Sequence, residues 1–204
     1  MNDFYDIGKI CEERAKGAPK VIEEDEQKTK PVTKKDLSVV GVPLRYYEPL
    51  SQQESIVDNE FMRAIAEWNH KEKWCLIFSG NVGTGKSFAA AKWLMDYRPD
   101  KLSWLSAGEL ADYKYNEYKL FKELCGRYRL VIDDWGTEYD TASNISMSIF
   151  RMVIDRRHAN ELPTIITTNM TGNEIKKRYN DPRIRDRLRQ GLFVFSDRKK
   201  SLRK

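Results

Sequence analysis

The run Gly80-Asn81-Val82-Gly83-Thr84-Gly85-Lys86-Ser87 fits the pattern G-x-x-x-x-G-K-[ST]. Each residue type in it has a chemical reason. Glycines let a backbone turn tightly enough for successive N–H groups to face one anion. A helix opening after Gly85 adds its positive end at the same point. Lys86 offers a compact cation to β- and γ-phosphates, and the Ser87 hydroxyl offers a ligand to Mg²⁺. Phe88 completes the stretch assigned to the nucleotide. The spacing predicts a site for ATP and Mg²⁺.

A second cluster follows downstream. Leu130-Val131-Ile132-Asp133-Asp134 is an apolar run ending in two acids. Read as a strand, it places its carboxylates at the carboxyl edge of a sheet, beside the loop after the first strand, where open α/β sheets hold ligands. Asp133 is expected to hold Mg²⁺ through water. Asp134 is expected to orient or deprotonate the attacking water. Asn169, after Thr167 and Thr168, closes another β-branched run and is expected to contact the γ-phosphate or that water.

These residues need a sheet to position them. Strands are predicted at Trp74–Ser79 (WCLIFS), Leu102–Leu105, Leu130–Ile132 and on into the acids, Thr164–Thr168 and Leu192–Phe195. Helices are predicted at Lys86–Met95, Gly108–Lys122, Asn144–Asn160, Thr171–Arg178 and Pro182–Arg189. Strands separated by helices imply an α/β fold, a parallel five-stranded sheet with helices on both faces. Upstream, Phe4, Ile7, Cys11 and Ala15 fall at helical spacing within residues 1–16, although Gly8 weakens the pattern. Residues 17–36 carry Gly17, Pro19, Pro31 and the acidic run Glu23–Glu26, and read as a flexible linker. The expected division is an N-terminal docking segment and linker over 1–36 and a nucleotide-binding domain over 37–204.

Composition narrows the class. A chain of 204 residues with 40% hydrophobic content suits one α/β domain with a short extension. The net charge of +5 is mild, but twelve Lys or Arg against three Asp between Lys176 and Lys204 give +9 locally. Such a tail suits phosphate backbone or an acidic partner surface. Cys11, Cys75 and Cys125 make no zinc pattern and no disulfide framework, and two histidines exclude a histidine-rich metal site. A reducing cytoplasm is the expected location. No apolar run has signal-peptide or membrane-spanning length.

Together the motifs resemble an AAA+ ATPase, and more narrowly the replicative helicase loaders of the DnaC/DnaI type, with their phage-encoded and IstB-like relatives. The stretches that carry the resemblance are Gly41–Glu48 (GVPLRYYE), Gly80–Ala91, Trp104–Asp112, Leu130–Glu138, Ile154–Met170 and Arg183–Leu188 (RIRDRL). They cover roughly residues 40–204. The resemblance implies self-association with ATP at subunit interfaces, and Arg187 matches the arginine that completes a neighbour's site in trans. Arg203 matches a second, cis arginine near the nucleotide. Single-stranded DNA is implied near Tyr139–Asn144, where Tyr139 could stack and Thr141 and Ser143 could donate hydrogen bonds. Two departures stand out. Asp134 occupies the place of a glutamate, which implies slow hydrolysis, stimulated by DNA or a partner. The family's larger N-terminal domain and C-terminal helical lid have little counterpart here.

The expected function is an ATP-dependent loader or remodeler of a ring-shaped replicative helicase, with residues 1–16 docking on the helicase. A transposition helper ATPase of the IstB type shares the same core and differs in its partner, and a neighbouring transposase gene would favour it. A nucleotide-gated binding module with negligible hydrolysis is the reading that Asp134 keeps open. A small-molecule kinase would instead need an arginine-bearing lid between strands, and Asn169 with Arg187 argues against it.

Overall fold

A computed structural model describes residues 33–51, 59–97, 99–110, 118–136, 145–198 and 201. Five strands form one sheet: β1 (Cys75–Gly80), β2 (Leu102–Ser106), β3 (Arg129–Trp135), β4 (Thr164–Thr168) and β5 (Leu192–Ser196). Their order is β2-β3-β4-β1-β5, and every pairing is parallel. All five coincide with predicted strands, and β3 runs on through both acids to Trp135. The expected parallel α/β fold is therefore present.

Eight α-helices are described around the sheet: α1 (Lys34–Val40), α2 (Tyr47–Ser51), α3 (Glu60–Glu67), α4 (Lys86–Met95), α5 (Tyr118–Gly126), α6 (Ile145–Ala159), α7 (Gly172–Arg178) and α8 (Pro182–Arg189). Strand side chains alternate between faces, and that alternation divides the core in two. Leu76, Phe78, Val131 and Ile165 pack with Leu37 of α1, Phe61 of α3 and Leu94 of α4. Ile77, Leu130, Ile132 and Ile166 face the other way, against Phe121 of α5, Ile149 and Val153 of α6, and Ile184 of α8. β1 and β4 are buried along their whole length, which is why they read as unbroken apolar or β-branched runs. β5 is an edge strand and leaves Leu192, Phe193 and Phe195 exposed.

Four elements differ from expectation, and one of them, α2, has no counterpart among the predicted helices. The helix predicted over 108–122 is helical at 107–110 and again from Tyr118, but α5 continues to Gly126, and residues 111–117 lie outside the described residues. α1 begins three residues inside the stretch read as linker. Thr33 and Asp36 form its capping box, with the Thr33 N–H donating to Asp36 Oδ2 at 2.8 Å and the Asp36 N–H donating to Thr33 Oγ1 at 3.3 Å. Only Leu37 and Val40 of this polar helix are buried, so composition hid it. α3 was not predicted at all. Asn59 caps it by accepting from the Met62 N–H at 2.9 Å. The predicted 1–16 helix and the linker up to residue 32 lie outside the described residues.

Candidate nucleotide site

The candidate phosphate loop leaves β1 at Gly80 and enters α4 after Gly85. Gly80 has φ of 149°, and a Cβ there would sit 2.7 Å from the Ser196 carbonyl oxygen of β5. Gly85 is the N-cap of α4 in the left-handed region, φ 94°, and no side chain caps the helix. A helix N-terminus of this kind favours an anion. The buried Thr84 donates to the Asn81 carbonyl at 2.9 Å and pins the loop.

Lys86 is 5% exposed, and its Nζ donates to the carbonyls of Gly80 (2.7 Å) and Asn81 (2.9 Å) and to Asn169 Oδ1 (2.9 Å). The ammonium is thus aimed across the loop mouth at the tip of β4. Ser87 Oγ donates to Asp133 Oδ1 at 2.8 Å. The structure brings Lys86, Ser87, Asp133 and Asn169 to one point, with Asp134 adjoining.

The strand order explains a residue that sequence reading missed. β3 is not the neighbour of β1, because β4 lies between them. Thr167 of β4 fills the gap. Its Oγ1 donates to Asp133 Oδ1 at 2.6 Å and accepts from the Asp134 N–H at 3.0 Å. Thr167 is wholly buried and ties the Asp133 carboxylate to the backbone N–H of Asp134. The run Thr164–Thr168 contains it, but which threonine faces the acids depends on a register that only the fold sets.

Asp134 adopts φ of 55°, one of two positive-φ residues besides glycine among the described residues. The pairing of β3 with β4 shifts register between Ile132 and Trp135, so this is a bulge. Such a backbone costs on the order of 1–3 kcal/mol and is retained where surrounding structure enforces it. Here it leaves Asp134 exposed while Asp133 and Trp135 on either side are buried.

Burial holds the Asp133 carboxyl above its ordinary value, opposed by the hydrogen bonds from Thr167 and Ser87. Asp134 pushes it further up and Arg45 pulls it down. The donor set is all oxygen, one buried carboxylate and one hydroxyl, which fits Mg²⁺ completed by water and phosphate. Among the described residues no group of three or more His, Cys, Asp or Glu is arranged to hold a metal ion. The sign for stability follows from the raised pKa. The folded chain takes up a proton more readily than the unfolded chain, so this carboxyl lowers stability as pH rises from its ordinary value through its folded one. A bound cation needs the charged form. Calorimetric titration across pH should therefore show Mg²⁺·ATP affinity falling on acidification from a pH above the ordinary aspartate range, with Asp133→Asn removing that dependence.

Arg187 lies elsewhere. Its carbonyl accepts from Trp74 Nε1 at 2.9 Å, and Trp74 precedes β1. The strand between Trp74 and the phosphate loop is six residues long, which spans about 20 Å at about 3.3 Å per residue. Arg187 thus sits at the sheet edge opposite its own loop. Its Nε lies 3.0 Å from Asp155 Oδ1. Arg203 and the segment Tyr139–Asn144 lie outside the described residues. Ser201 rests on the phosphate loop, where a Cβ added to Gly83 would overlap its hydroxyl.

No family model matches the chain, and no curated protein matches it. Solved structures do. The crystal structure of the DnaC helicase loader matches with TM-score 0.59 at 21% identity, over 74% of this chain and 98% of that one. DnaI matches with TM-score 0.56 at 18% identity, over 75% of this chain and 93% of that one. The replication initiator DnaA bound to AMPPCP and single-stranded DNA matches with TM-score 0.52 at 17% identity, over 70% of this chain and 48% of that one. These likenesses show the fold, a five-stranded parallel sheet flanked by helices. The chain carries the fold seen in the DnaC and DnaI helicase loaders. No helix of the described residues is long and apolar enough to cross a membrane.

Proposed function

We propose that this chain is an ATPase that loads or remodels a ring-shaped replicative helicase on single-stranded DNA. The observation that supports this best is the convergence of Lys86, Ser87, Asp133 and Asn169 on one phosphate loop within a loader-type fold. Loop N–H groups and the α4 N-terminus bind the phosphates, and Lys86 follows the charge that grows on the γ-phosphoryl. Bound Mg²⁺ would neutralise the β- and γ-phosphate oxygens, held at Ser87 and Asp133. Asn169 orients the γ-phosphate or the attacking water, and the exposed Asp134 carboxylate takes up the proton of that water. Its short reach sets slow turnover, with DNA or partner accelerating it.

Arg187 serves a neighbouring copy. Its place at the far sheet edge supports action in trans, where a guanidinium stabilises charge on the transferred group. The neighbour's site is then complete only in an assembly. The basic stretch from Lys176 to the C-terminus binds single-stranded DNA backbone, and residues 1–16 dock on the helicase.

The test uses the purified chain, the hexameric helicase of its own organism and circular single-stranded DNA. Native protein with ATP and Mg²⁺ should transfer helicase onto the circle, and Lys86→Ala should not. Absence of any association with the helicase, with and without ATP, would end the loader reading.

A further inference from the structure

We infer that Asp155 is a positioning residue for Arg187, holding the stem of its guanidinium so that the outer edge meets a neighbouring copy's nucleotide. The inference rests on Arg187 acting in trans, as proposed above.

Arg187 is in the last turn of α8, and Asp155 is in α6. The two helices run side by side in the same direction, with Arg151 against Asp181, Asp155 against Arg187 and His158 against Gln190. Asp155 Oδ1 lies 3.0 Å from Arg187 Nε, and both atoms are buried although the side chains are 32% and 26% exposed. The contact lacks hydrogen-bond alignment, so charge holds it. Arg187 Nη1 donates to the Arg183 carbonyl at 3.2 Å, one turn back. The described contacts thus use Nε and one face of Nη1 and leave Nη2 uncommitted. A phosphate is recognised by the fork of N–H groups at the outer edge of the guanidinium. Asp155 therefore grips the part of the side chain that phosphate recognition does not need.

Seating α8 does not require this pair. Ile184 is wholly buried, Trp74 holds the Arg187 carbonyl, and Asp181 caps the helix by accepting from the Arg183 N–H at 2.7 Å. What the pair adds is restriction of a long side chain that would otherwise lose rotamer freedom on meeting phosphate. Arg151 supports it from behind, with its Nε 4.0 Å from Asp155 Oδ2 and its Nη1 3.3 Å from Asp181 Oδ2. The finger is thereby tied through Arg151 to the residue that caps its own helix.

The experiment compares Asp155→Asn, Asp155→Glu, Arg187→Ala and the Asp155→Asn/Arg187→Ala double variant in the full chain, by steady-state ATP hydrolysis and thermal melting. Asp155→Asn should lower kcat about tenfold and keep KM for ATP within about twofold, with melting unchanged. Asp155→Glu should recover most of the loss. In the Arg187→Ala background, Asp155→Asn should cost nothing further. A native or raised kcat in Asp155→Asn overturns the inference, as does a loss that persists undiminished without Arg187 or that tracks a fall in melting temperature. Hydrolysis at the native rate in Arg187→Ala alone would instead remove the trans assignment of Arg187 itself.

Discussion

Lys86→Ala is expected to lower ATP hydrolysis by about a hundredfold to a thousandfold, the usual loss when one aimed donor to developing charge is removed. Lys86 is the sole cation that the structure places within the phosphate loop, and three oxygens hold it there. Two of these acceptors are loop carbonyls, so the ammonium is positioned by the backbone of the loop itself. Removing it leaves α4, which also packs through Ala89, Ala90, Ala91 and Leu94, in place. The fold should thus keep its stability to within about 1 kcal/mol. Single-turnover hydrolysis with circular dichroism as control separates the two effects. A Lys86→Ala chain that hydrolyses ATP at the native rate would show that the loop is not the reaction site.

The second large effect is structural. Arg157 is wholly buried and uses all five N–H donors. Nε donates to Thr164 Oγ1 at 2.6 Å, Nη1 to the carbonyls of Cys125 and Arg127, both at 2.8 Å, and Nη2 to those of Tyr128 (3.0 Å) and Pro163 (2.8 Å). One side chain thus joins the end of α5, the turn into β3 and the entry to β4. Burial pulls its pKa down to about 9, so it remains a cation at neutral pH. Arg157→Met keeps much of the stem volume but strips four carbonyls and a hydroxyl of their arginine bond, although the Pro163 carbonyl still accepts from the Leu130 N–H at 3.4 Å and the Thr164 hydroxyl still donates to the Leu162 carbonyl at 2.9 Å. Each buried carbonyl left without a donor costs about 1–3 kcal/mol, which is read as a melting temperature lower by about 5 °C or more. Nucleotide affinity at low temperature should be retained, because the arginine lies at the sheet edge opposite the loop. Arg157→Lys should not rescue, since an ammonium cannot satisfy five acceptors spread around a plane.

The part of the site that was legible in sequence is the part that is local. Gly80 to Ser87 carry their chemistry in consecutive residues, and an apolar run ending at Asp133 announces a strand with a carboxylate at its tip. The strand set was equally legible, because β1, β3 and β4 are buried on both faces and read as continuous runs. What stayed hidden depends on relations between distant elements. The insertion of β4 between β1 and β3 makes Thr167 the bridge between both acids, and nothing in TIITT distinguishes Thr167 from Thr164 or Thr168. The same holds for Arg157, which sits in an Arg-Arg-His run that reads as a charged helix face. α1 is obscured by its polar composition, whereas α3 carries Phe61, Met62 and Ile65 on one short amphipathic turn, and Thr33–Asp36 and Asn59 are the cap signals of the two helices. Asp134 was recognised as an acid of the site, but its left-handed backbone follows from the bulge, which only the register reveals.

The most direct test of the nucleotide site is calorimetric titration of ATP with Mg²⁺ into the native chain and into Lys86→Ala. Saturable binding to the native chain, weakened by omission of Mg²⁺ and lost or strongly weakened in Lys86→Ala, is the predicted result. Absence of binding to the native chain, or equal binding to both, would contradict the assignment of Gly80 to Ser87 as the phosphate site.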